Sequence, residues 1–435
     1  MQRRFLMLAP ILLAFGCGGQ DSAKQTVTPP PKASASEASP ARTDDPKVID
    51  ALVEMGAEIE RNPDGGAFKL SYTTGDDPTA FMEKLGQLRA IEELTLSGPG
   101  MDGRGAEALE KLTTLKRLDL SNSKIGDRTL ESIAKLEDLT VLRLRITSIT
   151  DDGLKNLLNL KKLRALDLRN CNVSDAGLEF IGQIESLVDL QLERANVSDA
   201  GMEKLTGLTN LRSLNLNLCV GVGDPGLLAL GFAGNMEQLQ MDSTEISDAG
   251  LAVLKNFPKL KRLRMRDTDT TGEGLQAIRG SDNLTRLELR NTSMGDAAVD
   301  VFVSLPKLEY LELSECGILT ADSIARIGQI GTLKTLDLWA TNTEDASMKG
   351  LADLSQLRVL NLENAFLTEE SVPDLLQLEN LEVLNLSGVG IGDEGFQKVA
   401  MLPNLKSVKI VNAGIGFEAV DAVKTKRPDL RVIEY

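Results

Sequence analysis

The pattern L-x-x-L-x-L returns along this chain every 24 residues, and no other feature of the sequence restricts the fold so tightly. Copies begin at Ile91, Leu115, Leu139, Leu163, Leu187, Leu211, Met236, Leu260, Leu284, Leu308, Leu333, Leu357, Leu381 and Leu405, with single-residue insertions at the steps to Met236 and Leu333. A degenerate copy starts at Ala67 and a truncated one at Leu430. The first part of each unit alternates apolar and polar residues, as a short strand requires. The second spaces apolar residues three apart, as at Leu178, Ile181 and Ile184, which suits a helix. A unit of strand, turn, helix and return loop cannot bury its apolar side alone, so successive units stack. One elongated array over 67–429, closed by a truncated strand at 430–435, then accounts for the 435 residues without several separate domains.

Composition narrows the chemistry. Hydrophobic residues make up 42% of the chain and aromatics only 3%, so the core is aliphatic. A formal charge of -16 argues against nucleic-acid binding, which needs a basic surface. Histidine is absent, which removes Ser–His and Cys–His pairs, the usual zinc sites and the commonest general base. No enzyme activity, cofactor or metal is expected.

The best units read L-R-A-L-D-L-R-N-C-N-V-S-D-A-G-L from Leu163 and L-V-D-L-Q-L-E-R-A-N-V-S-D-A-G-M from Leu187. Over roughly residues 67–435 they resemble the leucine-rich-repeat superfamily. Their I/V-S/T-D-x-G-L ending looks most like bacterial envelope repeat proteins, and more loosely like F-box substrate receptors. The resemblance implies an α/β fold: a right-handed solenoid, or horseshoe, with a parallel sheet on the concave face and helices on the convex face. It also implies binding rather than catalysis.

The N-terminus reads as an export signal over 1–16, with Arg3 and Arg4 ahead of an apolar stretch from Phe5 to Phe15 that is short for a membrane span. Ala14-Phe15-Gly16-Cys17 resembles the lipobox of bacterial lipoproteins, in which the cysteine thiol becomes lipidated. Ala14 and Phe15 depart from that pattern, and Ala14 and Gly16 also satisfy ordinary signal cleavage at the same bond. The expected location is therefore the cell envelope (a periplasmic or outer-membrane face), lipid-anchored through Cys17 or else simply secreted. Gly18 points away from inner-membrane retention by resemblance to lipoprotein sorting. Residues 17–45, rich in Ser, Ala, Thr and Pro, read as a disordered tether. Over 46–66, Ile49, Leu52 and Val53 on one helical face and the turn Asn62-Pro63-Asp64-Gly65-Gly66 predict a helix and hairpin capping the array.

Strand alternation turns positions three, five and seven of each L-x-x-L-x-L-x-x away from the core, with position eight beside them. Those positions hold Arg143, Arg145, Arg169 and Arg194, then Arg262, Arg264, Arg266, Arg286 and Arg290, followed by Glu288, Glu312, Glu315, Asp337 and Glu363. Two readings stand: a solvated face with cross-strand ion pairs, or arginines poised for an acidic or phosphate-bearing ligand. Trp339 at position seven and Tyr310 at position three add aromatic anchors of the kind that dominate interfaces. The candidate binding residues are Arg143, Arg145, Arg169, Arg194, Arg264, Arg266, Arg290, Tyr310 and Trp339.

Cys171, Cys219 and Cys316 share position nine with Ser123, Thr147, Ala195, Thr244 and other small residues. Two repeats separate Cys171 from Cys219, about 10 Å at the usual strand spacing, so a small-residue slot is expected rather than a disulfide. The aspartates recurring once per unit, among them Asp127, Asp151, Asp175 and Asp199, fit helix caps better than a calcium ladder, because only one carboxylate repeats. Together these readings give a non-catalytic scaffold of the cell envelope that recognises a protein or an anionic envelope polymer. An F-box-like receptor of a ubiquitin ligase and a purely structural spacer are the alternatives.

Overall fold

In the Leu163 unit, Leu163, Leu166, Leu168, Val173, Leu178 and Ile181 are all buried, and equivalent side chains of neighbouring units join them in one continuous core. Each such aliphatic side chain contributes about 1.5–3 kcal/mol through burial, which no single unit of this size can collect alone. The computed structural model describes residues 44–434. The export signal, Cys17 and the tether as far as residue 43 lie outside the described residues. Asp44 and Asp45, expected in the tether, belong to the folded body. The buried Asp44 carboxylate accepts the Ala67 amide at 2.8 Å and the Arg89 amide, and Asp45 caps the first helix through the Lys47 amide at 2.9 Å.

That helix spans Pro46–Glu54 and buries Val48, Ile49 and Leu52. Val53, expected on the same face, is 48% exposed, because the buried stripe runs through Val48 instead. The strand Glu58–Arg61 then pairs antiparallel with Ala67–Thr73 across a turn closed by the Asn62 side chain, which accepts the Gly66 amide at 2.8 Å. From there each strand pairs in parallel with the next, through Ala165–Asp167, Asp189–Gln191, Ser213–Asn215 and Gln238–Gln240 to Arg431–Ile433, in a sheet of 17 strands among the described residues. Every 24-residue step therefore lays one three-residue strand beside the last, with its middle leucine against the core.

The outer segments are short. Some are α-helical, as at Asp175–Ile181, and others are 3-10 turns, as at Gly250–Asn256 and Gly274–Ile278. Apolar residues three apart, such as Leu251 and Leu254, suit three residues per turn, so the spacing that predicts helix also permits the tighter form. No helix among the described residues is long and apolar enough to cross a membrane.

The sequence predicts a helix cap from each aspartate or from the Ser/Thr before it; the structure leaves the cap to the hydroxyl and sends the aspartate to the next unit. Asp175 is the first residue of its helix, and its Oδ1 accepts the Ser198 amide at 2.7 Å while its Oδ2 accepts the Ser198 hydroxyl at 2.5 Å. Asp151 holds Ser174 in the same way, Asp224 holds Ser247 and Asp248 holds Thr271. Capping within a helix falls to the preceding hydroxyl, as when Ser174 accepts the Ala176 amide. The glycine two residues after each aspartate leaves room for this staple: a Cβ at Gly201 would overlap the Asp175 carboxylate. The S/T-D-x-G signature is thus an inter-repeat hydrogen-bond ladder.

The three cysteines occupy the expected slot. All are buried, and the Sγ atoms of Cys171, Cys219 and Cys316 donate to the carbonyls of Leu144, Leu192 and Leu289 at 3.0–3.2 Å. Burial pushes the Cys219 thiol up to about 12.

Candidate functional site

Position five of the sheet separates structural from unassigned side chains. Where it is Asp or Asn, the side chain accepts the position-seven amide and closes the strand end, as Asp119 does for Ser121, Asp167 for Arg169, Asn215 for Asn217, Asp337 for Trp339 and Asn385 for Ser387. Thr95, Arg143, Gln191 and Lys409 interrupt this singly, whereas between Asn215 and Asp337 four consecutive repeats place Gln240, Arg264, Glu288 and Glu312 there, none of which makes that local bond. The pattern breaks in the central repeats.

There the face is a polar cleft of about 400 Å³ that gathers Arg169, Arg264, Arg266 and Arg290 of the predicted residues. Their charges are largely matched. Arg264 pairs with Asp242, its Nε 2.6 Å from Oδ2. Arg266 reaches Glu288 and Glu312, both at 2.5 Å, and so links three consecutive repeats. Arg290 lies 3.4 Å from Glu315 and 3.6 Å from Asp267, and Arg169 binds its neighbour Asp167 at 2.6 Å. Burial opposes the Arg266 charge, but Glu312 and Glu288 hold it protonated beyond its ordinary range. Burial likewise pushes the Glu312 carboxyl above the usual carboxylate range, against the pull of Arg266.

The remaining candidates sit outside the cleft lining. Arg143 is exposed, 3.7 Å from Asp119; Arg194 reaches only the Asn170 side chain, at 3.4 Å; Arg145 has no ion pair among the described residues. Tyr310 is half-buried with the Arg286 guanidinium stacked 3.5 Å over its ring, and burial pushes its phenol up to about 12. Trp339 is also half-buried, with its indole Nε1 enclosed and without a hydrogen-bond partner among the described residues. The nine predicted residues therefore do not form one site: four meet in the cleft and five lie to either side.

The repeat geometry accords with comparison to known proteins. A family model described as a leucine-rich repeat region matches residues 70–348, and a second leucine-rich-repeat model matches residues 377–400. The chain belongs to the leucine-rich-repeat family. Among solved structures, this leucine-rich-repeat chain is similar to an internalin from Listeria monocytogenes, with 22% identity and a TM-score of 0.57, over 73% of this chain and 86% of that one. It is also similar to a leucine-rich-repeat protein from Leptospira interrogans, with 18% identity and a TM-score of 0.52, over 84% and 89% of the two chains. At these identities the likeness is one of fold. No curated protein matches the sequence.

Two features of this leucine-rich-repeat face escape the sequence reading. Asn215, Asn217 and Gln240 line the cleft but carry no charge to set them apart beside the arginines. Position eight adopts a left-handed backbone in successive repeats, at Asn122, Ile146, Asn170, Arg194, Leu218, Asn291 and Asn364 among others. The recurrence of Asn there is the available signal, since Asn tolerates that region. Ile146, β-branched and 48% exposed at φ +55°, is the clearest outlier.

Proposed function

We propose that this protein is a non-catalytic recognition module whose central repeats bind a protein partner across the concave face. One observation carries the reading. The longest run of repeats without the strand-closing Asp or Asn is Met236 to Leu308, where Gln240, Arg264, Glu288 and Glu312 line or back the cleft. A side chain without a hydrogen bond among the described residues, Gln240, beside ion pairs that hold the sheet rigid around a preformed concavity, is what recognition requires. The pairing of Arg264 and Arg266 with Asp242, Glu288 and Glu312, and the carboxylates of Asp267 and Glu315 beside Arg290, favour a protein over an anionic polymer, because the carboxylates already balance the guanidinium charge.

Export to the cell envelope, with a lipid on Cys17 and residues 17–43 as a tether, completes the proposal and rests on the sequence. Intact mass of membrane-extracted protein tests it: a mature chain beginning at an acylated Cys17 is expected, and an unmodified Cys17 refutes the anchor. Binding is tested by placing a photo-crosslinking residue at Gln240 or at the exposed, convex Lys255 in the native cell. A discrete adduct from position 240 and none from position 255 is the expected result; the reverse refutes the concave assignment.

A further inference from the structure

Two asparagines in the cleft are locked with their donors facing outward. Asn215 and Asn217 are only 3% and 5% exposed. The Asn215 Oδ1 accepts the Asn217 amide at 3.0 Å, and the Asn217 Oδ1 accepts the Asp242 amide at 2.8 Å. A backbone N–H needs an acceptor, so these bonds fix which end of each side-chain amide is oxygen. Both Nδ2 groups are left to the cleft that the residues line, without a partner among the described residues. Neither Nδ2 is enclosed, so each donor is open to water or to a ligand in the cleft.

Asn215 is part of a row, with Asn217 just past the end of its strand. Gln191, Asn215 and Gln240 stand in register on adjacent strands, and the Gln240 side chain makes no hydrogen bond among the described residues. Three strands span about 10 Å, the reach of about three residues of extended chain.

The charges around the row select the ligand's chemistry. Arg264 and Arg266 are matched by Asp242, Glu288 and Glu312. Among the described residues, Arg290 keeps an Nε without a hydrogen-bond partner but lies within 3.4 Å of Glu315 and 3.6 Å of Asp267, and Glu193 adds a carboxylate with no ion pair. Donors offered without net positive charge suit neutral carbonyl oxygens better than carboxylates or phosphates. No aromatic ring among the described residues lines the cleft to receive the apolar face of a sugar. An extended main chain meets both conditions, with carbonyls for the asparagines and N–H groups for the Gln240 carbonyl oxygen.

We propose that Asn215, Asn217 and Gln240 form a hydrogen-bonding floor for the main chain of an extended, uncharged polypeptide segment of the partner. This rests on the concave-face reading above and adds the chemistry of what is bound there.

The test selects a random-peptide phage library on the full chain. Selected peptides are then measured against Asn215→Asp/Asn217→Asp, Gln240→Met and Gln191→Arg/Gln240→Arg. Aspartate keeps each Oδ1 acceptor and replaces only the outward donor, and Gln240→Met removes an amide that supports no other group. Peptides without enrichment in Asp or Glu are expected, losing about tenfold or more in affinity on the aspartate variant, several-fold on Gln240→Met, and all detectable binding on the arginine variant. Should the aspartate variant fail to fold, Gln240→Met gives the same readout. Peptides that bind the first two variants like wild type but fail on the arginine variant overturn the donor floor and leave the concave site standing. Peptides indifferent to all three overturn both. Selection of polyacidic peptides alone, or of no peptide at all, overturns the neutral main-chain ligand.

Discussion

The aspartate ladder makes the most direct claim about what joins one repeat to the next, and the pair Asp175 and Gly201 isolates it. Asp175→Ala removes two bonds to a charged acceptor, the Ser198 amide at 2.7 Å and its hydroxyl at 2.5 Å, in a partly buried setting. Hydrogen bonds to charged groups are worth about 1.5–3 kcal/mol each, less where solvent reaches them, so a loss of about 2–4 kcal/mol is expected. Gly201→Ala places a methyl against the Asp175 carboxylate and the Leu178 Cδ1. It should forfeit most of the same bonds, offset by about 1 kcal/mol of helix propensity. The two effects share one cause, so they should not add. In the Asp175→Ala background, Gly201→Ala becomes neutral or mildly stabilising, giving a coupling energy of about 2 kcal/mol. Urea unfolding followed by circular dichroism measures the four corners of the cycle, and hydrogen exchange at the Ser198 amide locates the effect at this junction, as the nearest-neighbour stability of repeat arrays requires. Additivity within about 0.5 kcal/mol would refute the ladder.

Four further outcomes follow from the same geometry. Ile146→Asn should raise stability by about 1 kcal/mol, because a β-branched residue leaves the left-handed region; a loss in thermal unfolding would contradict this. Arg266→Ala leaves the buried Glu312 unmatched, while Glu288 keeps Arg286, and should cost about 3 kcal/mol in chemical denaturation, with Glu312→Gln in the same chain recovering part of it. Cys171, Cys219 and Cys316 should resist a thiol-specific reagent at mildly alkaline pH until denaturant is added, since burial raises all three; rapid labelling of the folded chain would contradict the slot. The Asp296 carboxyl is held below its ordinary range by the Thr320 amide, so its contribution is present above that range and lost as pH falls through the depressed value. The stability gap between wild type and Asp296→Asn, followed by thermal unfolding across acidic pH, should therefore close toward low pH. Glu312, raised by burial, acts with the opposite sign, its contribution fading as pH rises through its raised value.

The repeat, its strand register and the small slot at Cys171, Cys219 and Cys316 were legible because each depends on period alone. What period does not carry is the partner of a side chain. Arg264 and Arg266 were visible as a basic pair, but the carboxylates that match them come from the Met236, Leu284 and Leu308 repeats. That pairing depends on how far each side chain reaches across strands. Asp175 looked like a cap because it opens a helix; its true partner, Ser198, is 23 residues away. Trp339 read as an outward anchor from position seven, while its neighbours enclose the indole Nε1. Asn215 and Asn217 carry no charge that the sequence would single out, and only the bonds to the Asn217 and Asp242 amides reveal which way their donors face.

The most direct test of the account is the dissociation constant of the partner crosslinked at Gln240, measured with wild type, with Gln191→Arg/Gln240→Arg and with the convex Lys255→Glu. The account predicts that binding is abolished by filling the cleft and unchanged by the convex substitution. Equal affinity for wild type and the filled cleft would contradict it.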